Sequence, residues 1–379
     1  MTEINVGVIG GGFMAQAHSI SFATMPMYFD PAPAIPVRKA IADINLELAT
    51  KAKNRFGYKK AYGDWRELIA DPEVDAVSIV TPNHLHAEIS IAAAKAGKHI
   101  LCEKPLARTS QEARLMLEAV EEAGVHHMVA FNFRKTPAVY LAKKFIDEGR
   151  IGKVLSFQGT YFQEDLVNPS VPLSWRFYKE SAGSGILGDI GAHTIDMARF
   201  LVGEFYSVNA QAKTWTKKRP IQPGSAKKGE VEVDDEVSFL INFENGAIGS
   251  IEATKNAPGR KNFITFEIHG EKGTICFNFE RMNELEVCFA DDPAEIRGFR
   301  TIQTSGIHPY GELSVAGIGY METKIAIVHD FFSAIMKGTK NDADFRDGYQ
   351  NNVICDAVLE SAKRQEWVEI SSINKLLVK

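Results

Sequence analysis

Over the first 132 residues, short apolar runs alternate with longer stretches of helical period, and no other feature constrains the fold as much. The runs INVGVIG, RKAIAD, VDAVSIV, KHILC and HHMVAF have the length and composition of buried strands. Between them, NLELATKAKNRFG, HLHAEISIAAAKAG and SQEARLMLEAVEEAG carry the spacing of helices. Repeated strand, helix, strand succession closes through right-handed crossovers, so this part should build a doubly wound parallel sheet. One segment breaks the rhythm. MPMYFDPAPAIP places four prolines between Pro26 and Pro36, and should form a surface loop that excludes helix.

After Asn132 the pattern changes. A helix, TPAVYLAKKFIDEG, leads into KVLSFQGTYFQED, and later EVSFLINFENGAIGSIEAT, NFITFEIHGEKGTICFNFE and ELEVCFA read as strands joined by turns at Asn245-Gly246 and Glu271-Lys272-Gly273. Meandering strands with few helices predict a large, mainly antiparallel sheet in an α+β domain. With 379 residues the chain exceeds one comfortable core. The expected division is a parallel-sheet domain over 1–132 and an α+β domain over 133–379, with the C-terminal helices able to pack back on the first. The stretch from Lys213 to Glu230 reads as a mobile loop or an intersubunit arm.

The segment GVIGGGFMAQAH sets Gly10, Gly12 and Ala15 in G-x-G-x-x-A spacing directly after a strand and opening a helix. Gly10 permits the tight turn, Gly12 lets a pyrophosphate approach the backbone, and Ala15 keeps the helix close to the sheet. The phosphate then meets the positive end of the helix dipole. Asp43 ends the second strand, where a carboxylate accepts from the ribose hydroxyls and repels a 2'-phosphate. NAD is therefore favoured over NADP, although Arg38 and Lys39 stand nearby.

Composition narrows the partners. A net charge of -5 with scattered lysines and arginines gives no basic groove for nucleic acid. Apolar runs stay short of a membrane span, and the first residues enter a strand without a signal-peptide pattern. The four cysteines (Cys102, Cys276, Cys288, Cys355) are too far apart for a CxxC motif. They read as reduced thiols of a cytoplasmic protein. No HExxH or facial-triad spacing occurs, so no metal is expected.

The stretch GDIGAHTID puts Asp189, His193 and Asp196 on one face if it is helical, with Ile190, Thr194, Met197 and Leu201 on the opposite, core-facing stripe. On this reading the helix is packed on one side and polar toward a cleft.

Together, TPNHLH after the strand VDAVSIV, CEKPL at the end of the strand KHILC, GRIGKV at the domain crossover and GDIGAHTID, in that order, resemble the Gfo/Idh/MocA oxidoreductases over nearly the whole chain. The proline-rich insertion, PLSWRF, VDDEV and HPYGE are most similar to members that oxidise a ring hydroxyl, at C3, of pyranosides and anhydrosugars such as levoglucosan. Inositol dehydrogenases are the nearest alternative. The resemblance implies a Rossmann domain followed by a domain with an open sheet, a substrate cleft between them, and commonly a tetramer. It also implies that Lys104, Asp189 and His193 stand at the catalytic positions.

On that footing each residue type suits its task. His193 is the base for the hydroxyl proton, because imidazole titrates near working pH. Asp189 either orients the imidazole or accepts a bond from a sugar hydroxyl. Lys104 stabilises negative charge on the reacting oxygen. Asp196 reads as structural. The expected cofactor shell is Gly10, Gly12, Phe13, Met14, Ala15, Asp43, Thr81, Pro82, Asn83, His86, Glu103 and Lys104, with His84 and His86 possible loop holders. Asn132, Arg134, Tyr161, Gln163, Trp175, Arg176, His308 and Tyr310 join Lys104, Asp189 and His193 as sugar-binding candidates. The rival classes are a non-catalytic NAD-bound sugar sensor, which has no need of Lys104 and His193 together, and an epimerising enzyme that begins with the same oxidation.

Overall fold

The structure, a computed structural model, describes residues 1–377. It divides into two compact units, one of Met1–Lys135 with Ile318–Gln350, the other of Thr136–Gly317 with the chain from Asn351 onward.

The first unit begins β1 (Glu3–Ile9), α1 (Phe13–Tyr28), β2 (Ile35–Ala42), α2 (Leu46–Phe56), β3 (Lys60–Tyr62), α3 (Trp65–Ala70), β4 (Ala76–Ile79), α4 (His86–Lys95), β5 (His99–Cys102), α5 (Ser110–Ala123) and β6 (His127–Val129). Among the described residues these strands form a six-stranded sheet in the order β3-β2-β1-β4-β5-β6, parallel throughout. This is the doubly wound Rossmann order. Its central strands read as unbroken apolar runs because both faces are covered: all of β4 is buried. Local chemistry sets the helix ends. Asn45 caps α2 by accepting from Glu47 and Leu48 N–H, and Thr109 caps α5 through Glu112 N–H.

The proline-rich segment departs from expectation at its start. α1 runs through Pro26 to Tyr28 rather than stopping before it. Proline there removes one backbone bond near the end of the helix, and burial of Phe22 and Met25 holds the last turn in place. Pro31 and Pro33 do make a connection without helix, whereas Pro36 is the second residue of β2.

The second unit contributes α6 (Pro137–Asp147), β7 (Val154–Phe162), α7 (Lys179–Ala182), a π-turn at Leu187–Gly191, α8 (Ala192–Leu201), β8 (Phe205–Lys213), β9 (Lys218–Pro220), β10 (Lys228–Glu230), β11 (Glu236–Phe243), β12 (Ile248–Thr254), β13 (Phe263–Gly270), β14 (Gly273–Asn278), β15 (Glu284–Phe289) and β16 (Arg300–Gln303). The chain then forms α9 (Tyr320–Lys337) in the first unit, α10 (Phe345–Arg364), β17 (Val368–Glu369) and α11 (Ile370–Leu377). Among the described residues the large sheet has nine strands, ordered β16-β15-β14-β13-β7-β12-β11-β8-β17. Its pairs are antiparallel except β7 with β12. β11 shows why one face stays open. Val237, Phe239, Ile241 and Phe243 are buried, while Ser238 and Leu240 between them are exposed.

The stretch from Lys213 to Glu230 is an ordered arm rather than a loose loop. β9 and β10 pair antiparallel, and the buried Arg219 donates to the carbonyls of Leu166 at 2.9 Å and Asn168 at 3.0 Å.

Candidate active site

In the first unit, Gly10 adopts φ +112°, and a Cβ there would come within 2.9 Å of the Val80 carbonyl. Gly12 caps α1 with no side-chain bond, and no acidic residue lies in the first turn. A Cβ on Gly12 would meet nothing within 4 Å. The helix therefore presents N–H groups to open space, which suits a pyrophosphate. Ala15 is fully buried, Met14 is half-buried and Phe13 is exposed. Asp43 is fixed through both oxygens, accepting Gly11 N–H at 2.8 Å and Asn45 N–H at 2.9 Å. It is thus set beside the glycine turn with lone pairs left for ribose hydroxyls.

At the ends of β4 and β5, two of the expected cofactor residues also make buried structural contacts. His86 is buried, with Nδ1 3.0 Å from the Pro105 carbonyl and Nε2 3.0 Å from that of Thr81, so it bridges the two loops. Glu103 is also buried. Its Oε1 receives Lys324 Nζ at 2.7 Å and His18 Nε2 at 2.9 Å, and its Oε2 accepts Lys104 N–H at 3.2 Å. Burial alone would raise the Glu103 pKa, but Lys324 and His18 hold it well below the usual carboxylate range. Burial pushes His18 down, toward the neutral ring. A charged Glu103 only accepts, so His18 Nε2 donates to it and Nδ1 accepts from Ser78 Oγ at 2.8 Å. Lys104 itself is half-buried, and so are Thr81 and Pro82, whereas Asn83 is buried. Thr81 Oγ1 is sealed from solvent without a hydrogen-bond partner, an acceptor or donor that a bound cofactor would satisfy. These residues fit NAD.

Asn132 and Arg134, expected to grip sugar hydroxyls, are buried in the same unit. Asn132 donates to Thr323 Oγ1 at 2.9 Å, and Arg134 donates to the Asp342 carbonyl.

In the second unit, the GDIGAHTID segment is a π-turn followed by α8, not one regular helix. From Ile190 to Ala198 every residue is buried, so the two-faced picture of this helix does not hold. His193 is 5% and Asp196 1% exposed, while the Asp189 side chain keeps 24%. The close packing has local causes. Gly159 on β7 leaves room for Thr194, since a Cβ there would lie 2.6 Å from its methyl. Asn351 on α10 donates to the Ala192 carbonyl at 2.8 Å. Buried Asp234 accepts from Gly185 and Leu187 N–H, both at 2.8 Å, and so anchors the entry to the π-turn. Burial pushes the Asp234 pKa up against the pull of those bonds. A π-turn at a functional segment is a common association.

Around this turn the ends of the interior strands β7, β12 and β13 bring polar groups together. Lys255, directly after β12, donates to Asp189 Oδ2 at 2.6 Å. Tyr161, near the end of β7, donates to Asn262 Oδ1 at 2.6 Å, and its ring lies 6.2 Å from that of His193. Gln163 Nε2 lies 3.4 Å from both Tyr161 Oη and Asn262 Oδ1, while its Oε1 is buried without a partner. Lys255 and Asn262 were not legible as site residues. Their only sequence signal is position at strand ends that the topology makes neighbours. Of the weaker candidates, Arg176 stacks over Trp175 at 4.4 Å, Tyr310 packs edge-on against Tyr140 at 5.1 Å, and His308 Nδ1 accepts Ser305 N–H at 2.9 Å. Among the described residues, no group of three His, Cys, Asp or Glu is placed to hold a metal ion, and no helix is long and apolar enough to cross a membrane.

A doubly wound nucleotide unit joined to a unit with an open nine-stranded sheet defines a two-part, NAD-binding oxidoreductase. Residues 4–131 match the oxidoreductase family with an NAD-binding Rossmann fold, and residues 139–276 match the GFO/IDH/MocA C-terminal domain. The chain belongs to the Gfo/Idh/MocA family. It is 57% identical to levoglucosan dehydrogenase of Pseudarthrobacter phenanthrenivorans over 99% of this chain and 100% of the relative. A solved structure of a levoglucosan dehydrogenase in complex with NADH and levoglucosan superimposes with a TM-score of 0.94 at 58% identity, covering 97% of this chain and 99% of that one. A scyllo-inositol 2-dehydrogenase (NAD(+)) of Bacillus subtilis is 32% identical over 76% of this chain and 78% of its own.

Proposed function

We propose that the chain is an NAD-dependent dehydrogenase that oxidises a secondary ring hydroxyl, at C3, of a pyranose or an anhydrosugar such as levoglucosan to the keto sugar. The observation that carries this reading is the polar group at the ends of β7 and β12. There Asp189, Lys255, Tyr161, Gln163 and Asn262 gather beside His193, with a buried acceptor on Gln163 still to be filled. Adjacent donors and acceptors against an aromatic ring are what vicinal sugar hydroxyls require. The whole-length likeness to a levoglucosan dehydrogenase supports the substrate class.

Bound NAD supplies the hydride acceptor, and the protein supplies proton removal and orientation. Gly10, Gly12 and the α1 N-terminus would hold the pyrophosphate, Asp43 the adenosine ribose, and Thr81, Pro82 and Asn83 the nicotinamide end. His193 takes the hydroxyl proton. Its Nδ1 is sealed from solvent, so in this reading Nε2 is the nitrogen that meets the substrate. Lys104 donates to the reacting oxygen and favours its alkoxide character. Asp189 accepts from the neighbouring hydroxyl. Trp175, Arg176 and Tyr310 would form the outer part of the sugar site.

The functional division is cofactor binding by 1–132 and sugar binding by 133–379. The open sheet face carries exposed Leu240 and Ile248 among polar residues, and a homotetramer would cover it. Four free cysteines and reliance on NAD accord with a cytoplasmic enzyme. Purified protein with NAD is offered levoglucosan, methyl glucosides, glucose, myo-inositol and scyllo-inositol, following the absorbance of reduced cofactor. Turnover of levoglucosan above the inositols is expected. Preference for an inositol would reassign the substrate, and tight NAD binding with no turnover would favour a sensor. Light scattering, with Leu240→Glu as the disrupting variant, tests the tetramer.

A further inference from the structure

Lys255 enters the site from outside every recognisable motif. Its ammonium lies 2.6 Å from Asp189 Oδ2 and 3.9 Å from Asp165 Oδ2. The Lys255 side chain is 14% exposed, Asp189 24% and Asp165 62%, so the pair with Asp189 is the shorter and the better shielded. Its backbone is fixed as well, because it follows β12 directly and its carbonyl accepts Leu166 N–H at 3.0 Å. Asp189 and His193 are four residues apart on the continuous turn that leads into α8. An unbalanced carboxylate at that spacing favours the imidazolium. That form cannot accept the proton of an alcohol.

Other titratable groups lie on the elements packed around this segment. Tyr140 and Lys143 lie on α6, Tyr161 on β7, Asp234 just before β11 and Cys355 on α10, with Asp196 on α8 itself. The cations Lys143 and Arg199 serve the far end of α8, over Phe200 and with Glu204.

We infer that Lys255 is a positioning residue for the oxidation proposed above: by pairing with Asp189 it fixes that carboxylate and cancels its pull on the His193 proton, so the imidazole remains a free base at neutral pH. The inference rests on that functional reading, but its test does not need turnover. Full-length protein carrying ¹³C-labelled histidine is titrated by NMR, with the His193 signal assigned from its loss in His193→Asn. In Lys255→Met the His193 midpoint should rise by about half a pH unit or more, and in Lys255→Arg it should stay at the wild-type value. Where a sugar is turned over, the acid limb of the kcat/KM profile should move up by the same amount in Lys255→Met and recover in Lys255→Arg. A thermal melt accompanies each variant, and Lys255→Gln replaces the methionine if that variant does not fold. A His193 midpoint unchanged in both neutral variants overturns the inference, whether or not the enzyme is active. Wild type that turns over no sugar, with a shifted midpoint in Lys255→Met, overturns the proposed function and leaves the role of Lys255 standing.

Discussion

Replacing Glu103 by glutamine removes the charge that compensates Lys324 inside the first unit. Their side chains are 7% and 2% exposed, and Oε1 of the same carboxylate also receives His18. Breaking a buried pair by removing one partner strands the other charge, at a cost of about 3–5 kcal/mol. At about 2–4 °C per kcal/mol for a unit of this size, the melting temperature should fall by roughly 6–20 °C. The pH dependence has a definite sign. Glu103 is depressed in the folded state, so its stabilisation is complete above its ordinary 4.5 and is lost as pH falls toward the folded value. Lys324 is raised, because attraction to Glu103 outweighs burial, and its contribution is complete below 10.5 and lost as pH rises through the folded value. His18, lowered by burial, adds a loss that begins below 6.5, where the unfolded chain takes up a proton first. The deficit of Glu103→Gln relative to wild type should therefore be full near neutrality and shrink in acid. Urea unfolding of wild type, Glu103→Gln, Lys324→Met and the Glu103→Gln/Lys324→Met double variant measures it. The double variant should be less destabilised than the sum of Glu103→Gln and Lys324→Met. A loss below about 1 kcal/mol in Glu103→Gln, or strict additivity, would refute the claim that this pair is a mutually dependent buried unit. Activity should fall too, because Glu103 Oε2 holds the backbone N–H of Lys104.

Asp43→Ser should raise the KM for NAD about tenfold and narrow the preference over NADP, read from initial rates with each cofactor; an unchanged ratio would remove Asp43 from ribose recognition. His193→Ala and Lys104→Ala should each lower kcat by about 100-fold while NAD binding by fluorescence is kept, and near-normal turnover in either removes its assigned role. Gly185→Ala places a Cβ 1.8 Å from the Asp234 carbonyl, so the backbone must move and about 1–3 kcal/mol of stability should go with it, measured by chemical denaturation. Asp234→Ala strands two buried N–H groups at the π-turn, at about 1–3 kcal/mol each, and should lower kcat as well as the melting temperature.

The Rossmann unit was readable because a sheet buried on both faces writes itself as apolar runs, and β1, β2, β4, β5 and β6 all fell where those runs are. β3 was missed for the converse reason. It has three residues, none fully buried, and is held by pairing with β2 rather than by its own pattern. Pro26 misled because a local rule was applied without the tertiary packing that overrides it. Phe22 meets Phe332 of α9 edge-on at 6.2 Å, a contact made by a residue 310 positions away along the chain.

The candidate site divides along the same line. Lys104, Asp189 and His193 lie within ordered motifs, so their neighbourhood is visible in one dimension. Lys255 reaches Asp189 across 66 residues, and Lys324 reaches Glu103 across 221. Nothing local marks either lysine as different from a solvated one. Neighbours within a motif also take different surroundings. Glu103 adjoins Lys104, yet successive side chains leaving a strand turn to opposite sides. Glu103 accordingly points inward to Lys324 and His18, while Lys104 remains half-exposed past the strand end. His86 follows the same logic: it is buried between the Thr81 and Pro105 carbonyls, each 3.0 Å from a ring nitrogen, and its single ring N–H donates to one of them. A motif thus contains both the groups that meet the ligands and the groups that hold those groups still, and burial with its hydrogen-bond partners is what separates them.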